Sequence, residues 1–321
     1  MKKYYFIASF YLLVLGIFFT ACQSKDNSKY ITVSMNTWPG YEPILLAKEK
    51  GYIGDNVKIN RMDSATDVIT AFHSGITDVA FVTLDEVLTL RDRIDYGIKI
   101  IAIIDTSHGG DAILSQSHIK KLKDLKGKKV GVESTAIGAY LLLRAFSLND
   151  EISLSDIEIV PMLYSKHEEA FINYAVDAVA TFEPIKSALL KRKANVLFDS
   201  SQIPNEILDV MIVKDETIET KGDEIKEMLS GWFKSIEFLE KYHDKAMSMM
   251  AKYEGISTAE FNIAHGGLKV PNLSDNKKIL SLNNGELLKH AIDLEKFLLL
   301  NEMISKEDDL RKIITDGLLP R

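Results

Sequence analysis

The sequence holds one cysteine, Cys22, in 321 residues. No internal disulfide can form, and a cysteine-rich metal site is excluded. A phosphate-binding loop of the form G-x-x-x-x-G-K is missing, and so is H-E-x-x-H; His167-Glu168-Glu169 lacks a second histidine at the required turn. No G-x-S-x-G elbow presents a serine nucleophile. Basic charge is also scarce: 39 Lys and Arg stand against 46 Asp and Glu, a net charge of -7. Without clustered cations to displace counterions from phosphates, a nucleic-acid partner is excluded. The basic runs Lys120–Lys129 and Lys191-Arg192-Lys193 read as solvated surface or, on a weaker reading, as part of a docking face for a membrane partner. His108-Gly109-Gly110 and His265-Gly266-Gly267 read as turns.

What is present begins with an address. Met1-Lys2-Lys3 is a short basic segment, Tyr4 to Phe19 is an apolar run, and small Ala21 precedes Cys22. That is the layout of an export signal, and the run is shorter than the roughly 20 residues that span a bilayer. Phe19-Thr20-Ala21-Cys22 resembles a bacterial lipobox, with Phe19 where Leu is usual. The expectation is a signal peptide over 1–21, cleavage before Cys22, lipidation of its thiol, and a polar tether over 22–30. Removing the signal takes away Lys2 and Lys3 and leaves 37 basic against 46 acidic side chains, a net charge of -9. The protein is expected outside the cytoplasm, held to a membrane by its acyl chains.

From Tyr30 onward strands alternate with helices. Ile31–Met35, Val57–Met62, Val79–Val82 and Ile98–Ile104 read as strands; the last two are continuous apolar runs, as expected for parallel strands buried on both faces. Ser64 with Asp67 reads as a helix cap, and Gly75 as the end of that helix. A second set follows: strands at Lys129–Val132, Ile157–Val160, Ala178–Thr181 and Val196–Phe198, with helices at Ala136–Phe146 and Pro184–Lys193. Ser165-Lys166-His167-Glu168 reads as a capping box. Beyond Thr217 the apolar spacing turns helical, through Trp232 and again over Glu286–Ile304. Thr83-Leu84-Asp85 and Thr181-Phe182-Glu183 echo one another at strand ends, which suggests two lobes of similar wiring.

Taken in order, Trp38-Pro39-Gly40-Tyr41-Glu42-Pro43, Ala71-Phe72-His73-Ser74-Gly75, Asp78-Val79-Ala80, Asp124-Leu125-Lys126-Gly127-Lys128-Lys129-Val130-Gly131-Val132 and Thr181-Phe182-Glu183-Pro184 carry a resemblance. Over residues 31 to 215 the chain resembles the periplasmic solute-binding components of ABC importers for taurine, alkanesulfonates, nitrate and pyrimidine precursors of thiamine. The resemblance implies an α/β, two-lobed type II periplasmic-binding-protein fold, with lobe 1 over 31–112 and 205–321 and lobe 2 over 113–204. Crossings are expected near Asp111–Leu114 and Asp209–Val213, with hinge closure on a ligand. It also implies a monomer that is not an enzyme, needs no cofactor or metal, and hands a small molecule to an inner-membrane permease or, alternatively, to a membrane sensor. A related branch that makes a thiamine pyrimidine at a cysteine-rich iron site does not fit a chain with this cysteine count.

In such a fold the ligand lies outside the carboxyl ends of the strands. That edge would carry Asn36, Thr37, Trp38, Tyr41, Asp63, Ser64, Thr83, Asp85 and Asp105 from lobe 1. Lobe 2 would add Glu133, Ser134, Thr135, Tyr164, Thr181 and Glu183, with Asp111 near a crossing. Trp38 and Tyr41 offer flat faces to a ring or a cation. Helix N-termini at the same edge would suit an anion. The carboxylates Asp63, Asp85, Asp105, Glu133 and Glu183 oppose it, with no Lys or Arg in those loops. The expected ligand carries positive charge or hydrogen-bond donors, such as an aminopyrimidine or another amine, with a taurine-, sulfonate- or nitrate-type solute as the alternative, and Glu183 is the leading single candidate to hold it.

Overall fold

A computed structural model describes residues 30–133, 137–283 and 285–321. Cys22, Ser134 and Thr135, named above, lie outside the described residues.

Two separate sheets form. The first contains β1 (Ile31–Met35), β2 (Val57–Arg61), β3 (Val79–Thr83), β4 (Ile98–Ser107), β10 (Leu208–Lys214) and β11 (Leu268–Lys269) in the order β11-β4-β10-β3-β1-β2. The second contains β5 (Asp111–Ser115), β6 (Lys129–Val132), β7 (Glu158–Pro161), β8 (Ala178–Phe182) and β9 (Asn195–Asp199) in the order β7-β6-β8-β5-β9. The orders match strand for strand, with β1, β2, β3, β10 and β4 equivalent to β6, β7, β8, β5 and β9. The echo between Thr83-Leu84-Asp85 and Thr181-Phe182-Glu183 therefore falls on equivalent strand ends, those of β3 and β8.

In each sheet a reversed strand interrupts the parallel set, and in the first sheet the two-residue edge strand β11 is reversed as well. β10 runs antiparallel between β3 and β4, and β5 antiparallel between β8 and β9. The apolar run of β4 thus pairs with an antiparallel neighbour rather than a parallel one. Burial on both faces, not strand direction, is what makes the run continuous. The chain changes sheet between Ser107 and Asp111 and returns between Asp199 and Leu208. The crossings expected near Asp111–Leu114 and Asp209–Val213 are instead interior strand, because an apolar β-run reads the same in whichever sheet it pairs.

Helices cover both sheets. α1 (Pro43–Glu49), α2 (Ala65–His73) and α3 (Leu84–Arg93) follow β1, β2 and β3; α4 (Ile137–Ser147), α5 (His167–Ile172) and α6 (Ile185–Lys191) do the same for the second sheet. Ser64 caps α2, its hydroxyl accepting the Asp67 N–H at 3.1 Å. The cap expected from Ser165 does not form: a short 3-10 turn, Tyr164–Lys166, precedes α5, and no side chain caps that helix. The chain then builds α7 (Asp215–Lys241), α8 (His243–Glu254), α9 (Thr258–His265), α10 (Leu273–Ile279) and α11 (Glu286–Leu300). Ile225, Met228, Leu229, Trp232 and Ile236 form the buried stripe of α7 that the 3.6-residue spacing announces. Gly231 lets α7 approach closely; a Cβ there would lie 2.6 Å from the Tyr52 carbonyl oxygen.

Candidate functional site

Register places three polar side chains in a row at one edge of the first sheet. Asp209, at the start of β10, pairs with Thr83 at the end of β3 on one side and with Asp105 near the end of β4 on the other. Above this row sits the loop after β1. Trp38 donates its indole N–H to Asp105 at 2.9 Å, and the Tyr41 hydroxyl donates to Asp209. Gly40 is required for that approach: a Cβ there would fall 1.8 Å from an Asp105 carboxylate oxygen. From the second sheet, Phe182 at the end of β8 meets the edge of Trp38, ring centres 5.8 Å apart, and Tyr164 stacks behind Phe182 at 3.9 Å.

Between these walls lies a narrow cavity lined by Asn36, Trp38, Tyr41, Ala65, Thr83, Glu86, Asp111, Ile137, Phe182 and Asp209. Its two sides differ in chemistry. The first lobe supplies Glu86 and Asp209, whereas the second supplies apolar Phe182 and Ile137 with one carboxyl, Asp111 at the start of β5. Among the described lining residues none is Lys, Arg or His.

Burial dominates the electrostatics, since a low-dielectric site disfavours the charged form. Burial pushes Asp111 up to about 7, opposed by a hydrogen bond from Ser107 and supported by the charge of Asp85. Asp105 and Asp209 are both raised, by burial first and, for Asp209, next by the neighbouring charge of Asp105. Two carboxyls this close cannot both ionise without a cation, so the pair retains a proton near neutral pH. Asp85 and Glu86 are raised in the same way, by burial and, for Glu86, by Asp85. One oxygen of Asp105 and one of Asp111 are buried without a hydrogen-bond partner. The arrangement is a cluster of acids short of positive charge.

Asn36, Trp38, Tyr41, Thr83 and Asp111 of the expected edge come together on the cavity, and Asp105 lies directly behind Trp38. Thr37 stands beside them, its carbonyl accepting from Asn36 at 3.2 Å. Thr181 is buried in β8, its hydroxyl without a partner. Others have different work. Asp63 is exposed and Ser64 caps α2. Asp85 is buried beside Glu86 and accepts from the first backbone N–H groups of α3. The Tyr164 hydroxyl accepts the Ile185 N–H at 3.3 Å. Glu183, the leading single candidate, does not line the cavity. Its carboxylate accepts the Ser187 N–H at 3.0 Å and lies 3.3 Å from the Lys186 ammonium, both local to α6. Glu133 reaches across to the opposite lobe, accepting the Thr66 N–H at 2.9 Å.

Ala65, Glu86, Ile137, Phe182 and Asp209 also line the cavity, beyond the residues expected from sequence. Phe182 was within reach, since it is the central residue of the quoted Thr-Phe-Glu triplet. Glu86 was legible as the cap of α3, three residues beyond Thr83, whose N–H its carboxylate accepts at 2.9 Å. Asp209 carried no local signal.

The family model described as NMT1/THI5 like matches residues 38–246. The chain belongs to this family. A Brucella abortus protein described as a binding protein is 23% identical over 165 residues, 50% of this chain and 51% of the relative. The chain spans about half the length of the curated relatives it matches. Among solved structures, the alkanesulfonate-binding protein SsuA from Xanthomonas axonopodis pv. citri bound to MOPS shares 15% identity at a TM-score of 0.71, covering 91% of this chain and 98% of that one. The periplasmic aliphatic sulphonate binding protein SsuA from Escherichia coli gives 18% and 0.70, over 90% and 98%. The desulfurization enzyme DSZB also aligns, at 15% and 0.66 over 90% of this chain and 97% of its own. At these identities the likeness establishes the two-lobed periplasmic-binding-protein fold of this NMT1/THI5-like chain, and the fold serves binding proteins and an enzyme alike.

Proposed function

We propose that this chain is an extracytoplasmic solute-binding lipoprotein of an ABC import system, capturing a small nitrogen-containing ligand that brings positive charge or hydrogen-bond donors. The observation that carries the reading is the cavity itself: Glu86, Asp111 and Asp209 line it, and no described lining residue is basic. Once these acids ionise, above about pH 7 for Asp111, a sulfonate or nitrate placed there meets repulsion, whereas an amine or protonated aminopyrimidine supplies the missing charge. Trp38, Tyr41 and Phe182 give a flat ring somewhere to pack. Asn36, Thr83 and Asp111 complete the proposed contact set.

Lobes of about 31–107 with 208–321 and about 111–199 would swing about the segments that connect the two sheets, presenting the closed form to a permease. Among the described residues no helix is long and apolar enough to cross a membrane. Membrane attachment in this reading falls to the acylated Cys22, and Cys22→Ser is expected to move the protein from the membrane to the soluble extracytoplasmic fraction.

A thermal-shift screen of amines, aminopyrimidines, sulfonates and oxoanions on the body from Gln23 onward tests the ligand class. A ligand at 100 times its Kd adds about 2.7 kcal/mol of stability. The reading expects the shift from amines or aminopyrimidines, and a screen answered by sulfonates alone overturns it.

A further inference from the structure

The first turn of α2 brings Ala65 onto the cavity, and the N–H groups of a helix start are where an anionic ligand would gain most. Two of them are already engaged. Asp67 N–H goes to the capping Ser64. Thr66 N–H goes to Glu133 Oε1 at 2.9 Å, and the Thr66 hydroxyl donates to the same oxygen. The other carboxylate oxygen, Oε2, accepts the Tyr164 N–H at 3.1 Å within its own lobe. Glu133 follows β6 of the second sheet, whereas α2 packs on the first, so one 4% exposed carboxylate is hydrogen-bonded to both lobes. Ala65, the residue before Thr66, lines the ligand cavity, and the charge of Glu133 is among those that raise Glu86.

We infer that Glu133 is a specificity-determining residue: it acts as the chain's own anion, seated on the α2 N-terminus from the opposite lobe, so that closing the cleft fills the place an anionic ligand would take. This rests on the proposed reading that the ligand is not an anion. The seat satisfies the Thr66 N–H, ties the lobes together and adds a negative charge beside the cavity. Discrimination against anions is thus built from an occupied helix terminus as well as from repulsion by the cavity acids.

The test uses inorganic sulfate and methanesulfonate as probes, titrated calorimetrically at neutral pH and low salt into wild type, Glu133→Ala and Glu133→Gln. Removing the carboxylate vacates the helix end. Glu133→Ala is expected to bind both anions about tenfold more tightly than wild type, an effect of the size helix termini give partly buried charges. Glu133→Gln keeps an oxygen on the Thr66 N–H and is expected to show little gain, which separates occupancy of the seat from loss of charge alone. Circular dichroism and the thermal midpoint establish that each variant is folded, and Glu133→Ser carries the same expectation should the alanine variant not fold. A folded Ala or Ser variant that binds neither anion better than wild type overturns the inference. A loss of stability without that gain marks Glu133 as merely structural. Methylammonium titrated into the wild type bears on the ligand's charge by itself, so the two readings fail separately.

Discussion

Replacing Asp111 by Asn tests the electrostatics of the cavity in the protein without ligand. Burial moves the Asp111 carboxyl from 3.8 to about 7. At about 1.36 kcal/mol per pH unit the shift corresponds to roughly 4 kcal/mol. The sign follows from proton binding. Below pH 3.8 the carboxyl is protonated in both folded and unfolded chains, and burial costs no charge. Between 3.8 and about 7 only the folded chain holds the proton, so stability falls as pH rises, and above about 7 the loss is complete. Asparagine removes this dependence. It also adds a buried N–H₂ beside an oxygen that already lacks a partner, at a cost of about 1–3 kcal/mol. Asp111→Asn is therefore expected to be no more stable than wild type near pH 4, and more stable by roughly 1–3 kcal/mol near pH 8. Urea unfolding of both proteins at half-unit steps of pH measures the difference directly. A stability difference that stays flat between pH 4 and 8 would refute the reasoning, since it would mean that the carboxyl carries no folded-state shift.

Trp232 is fully buried in the stripe of α7, with its ring against Phe81; Trp232→Ala is expected to cost about 3–5 kcal/mol, read as a lower urea midpoint. Gly40→Ala drives a methyl into the Asp105 carboxylate and breaks the hydrogen bond from Trp38. It is expected to abolish ligand binding while leaving the helical signal in circular dichroism intact, because the collision lies between the loop after β1 and the end of β4 and touches no helix.

The sequence carried the architecture well because the signals were local. β1, β2, β3, β6 and β8 are each a short strand-like run followed by a helix. Those elements place Asn36, Trp38, Tyr41 and Thr83 at strand ends without any knowledge of pairing. What escaped depended on distant partners. Asp209 joins the site only because β10 slots between β3 and β4, a register fixed by contacts more than a hundred residues away in the chain. Glu183 looked like a ligand group for the converse reason. Its position before Pro184 marked a strand-to-helix turn, but the Ser187 N–H of that same turn takes up its carboxylate. An acid at a helix start has two possible uses, and local sequence does not choose between them. Glu133 shows the same ambiguity on a larger scale, since the helix it meets belongs to the other lobe.

The central claim, a cavity that demands positive charge, is tested most directly by titrating two ligands of one carbon skeleton, ethylammonium and ethanesulfonate, into the acyl-free protein at pH 8. The account predicts measurable heat from the amine, weakening as pH is lowered through 7 and the acids Asp111 and Asp105 regain their protons. Saturable binding of ethanesulfonate with none of ethylammonium would contradict it.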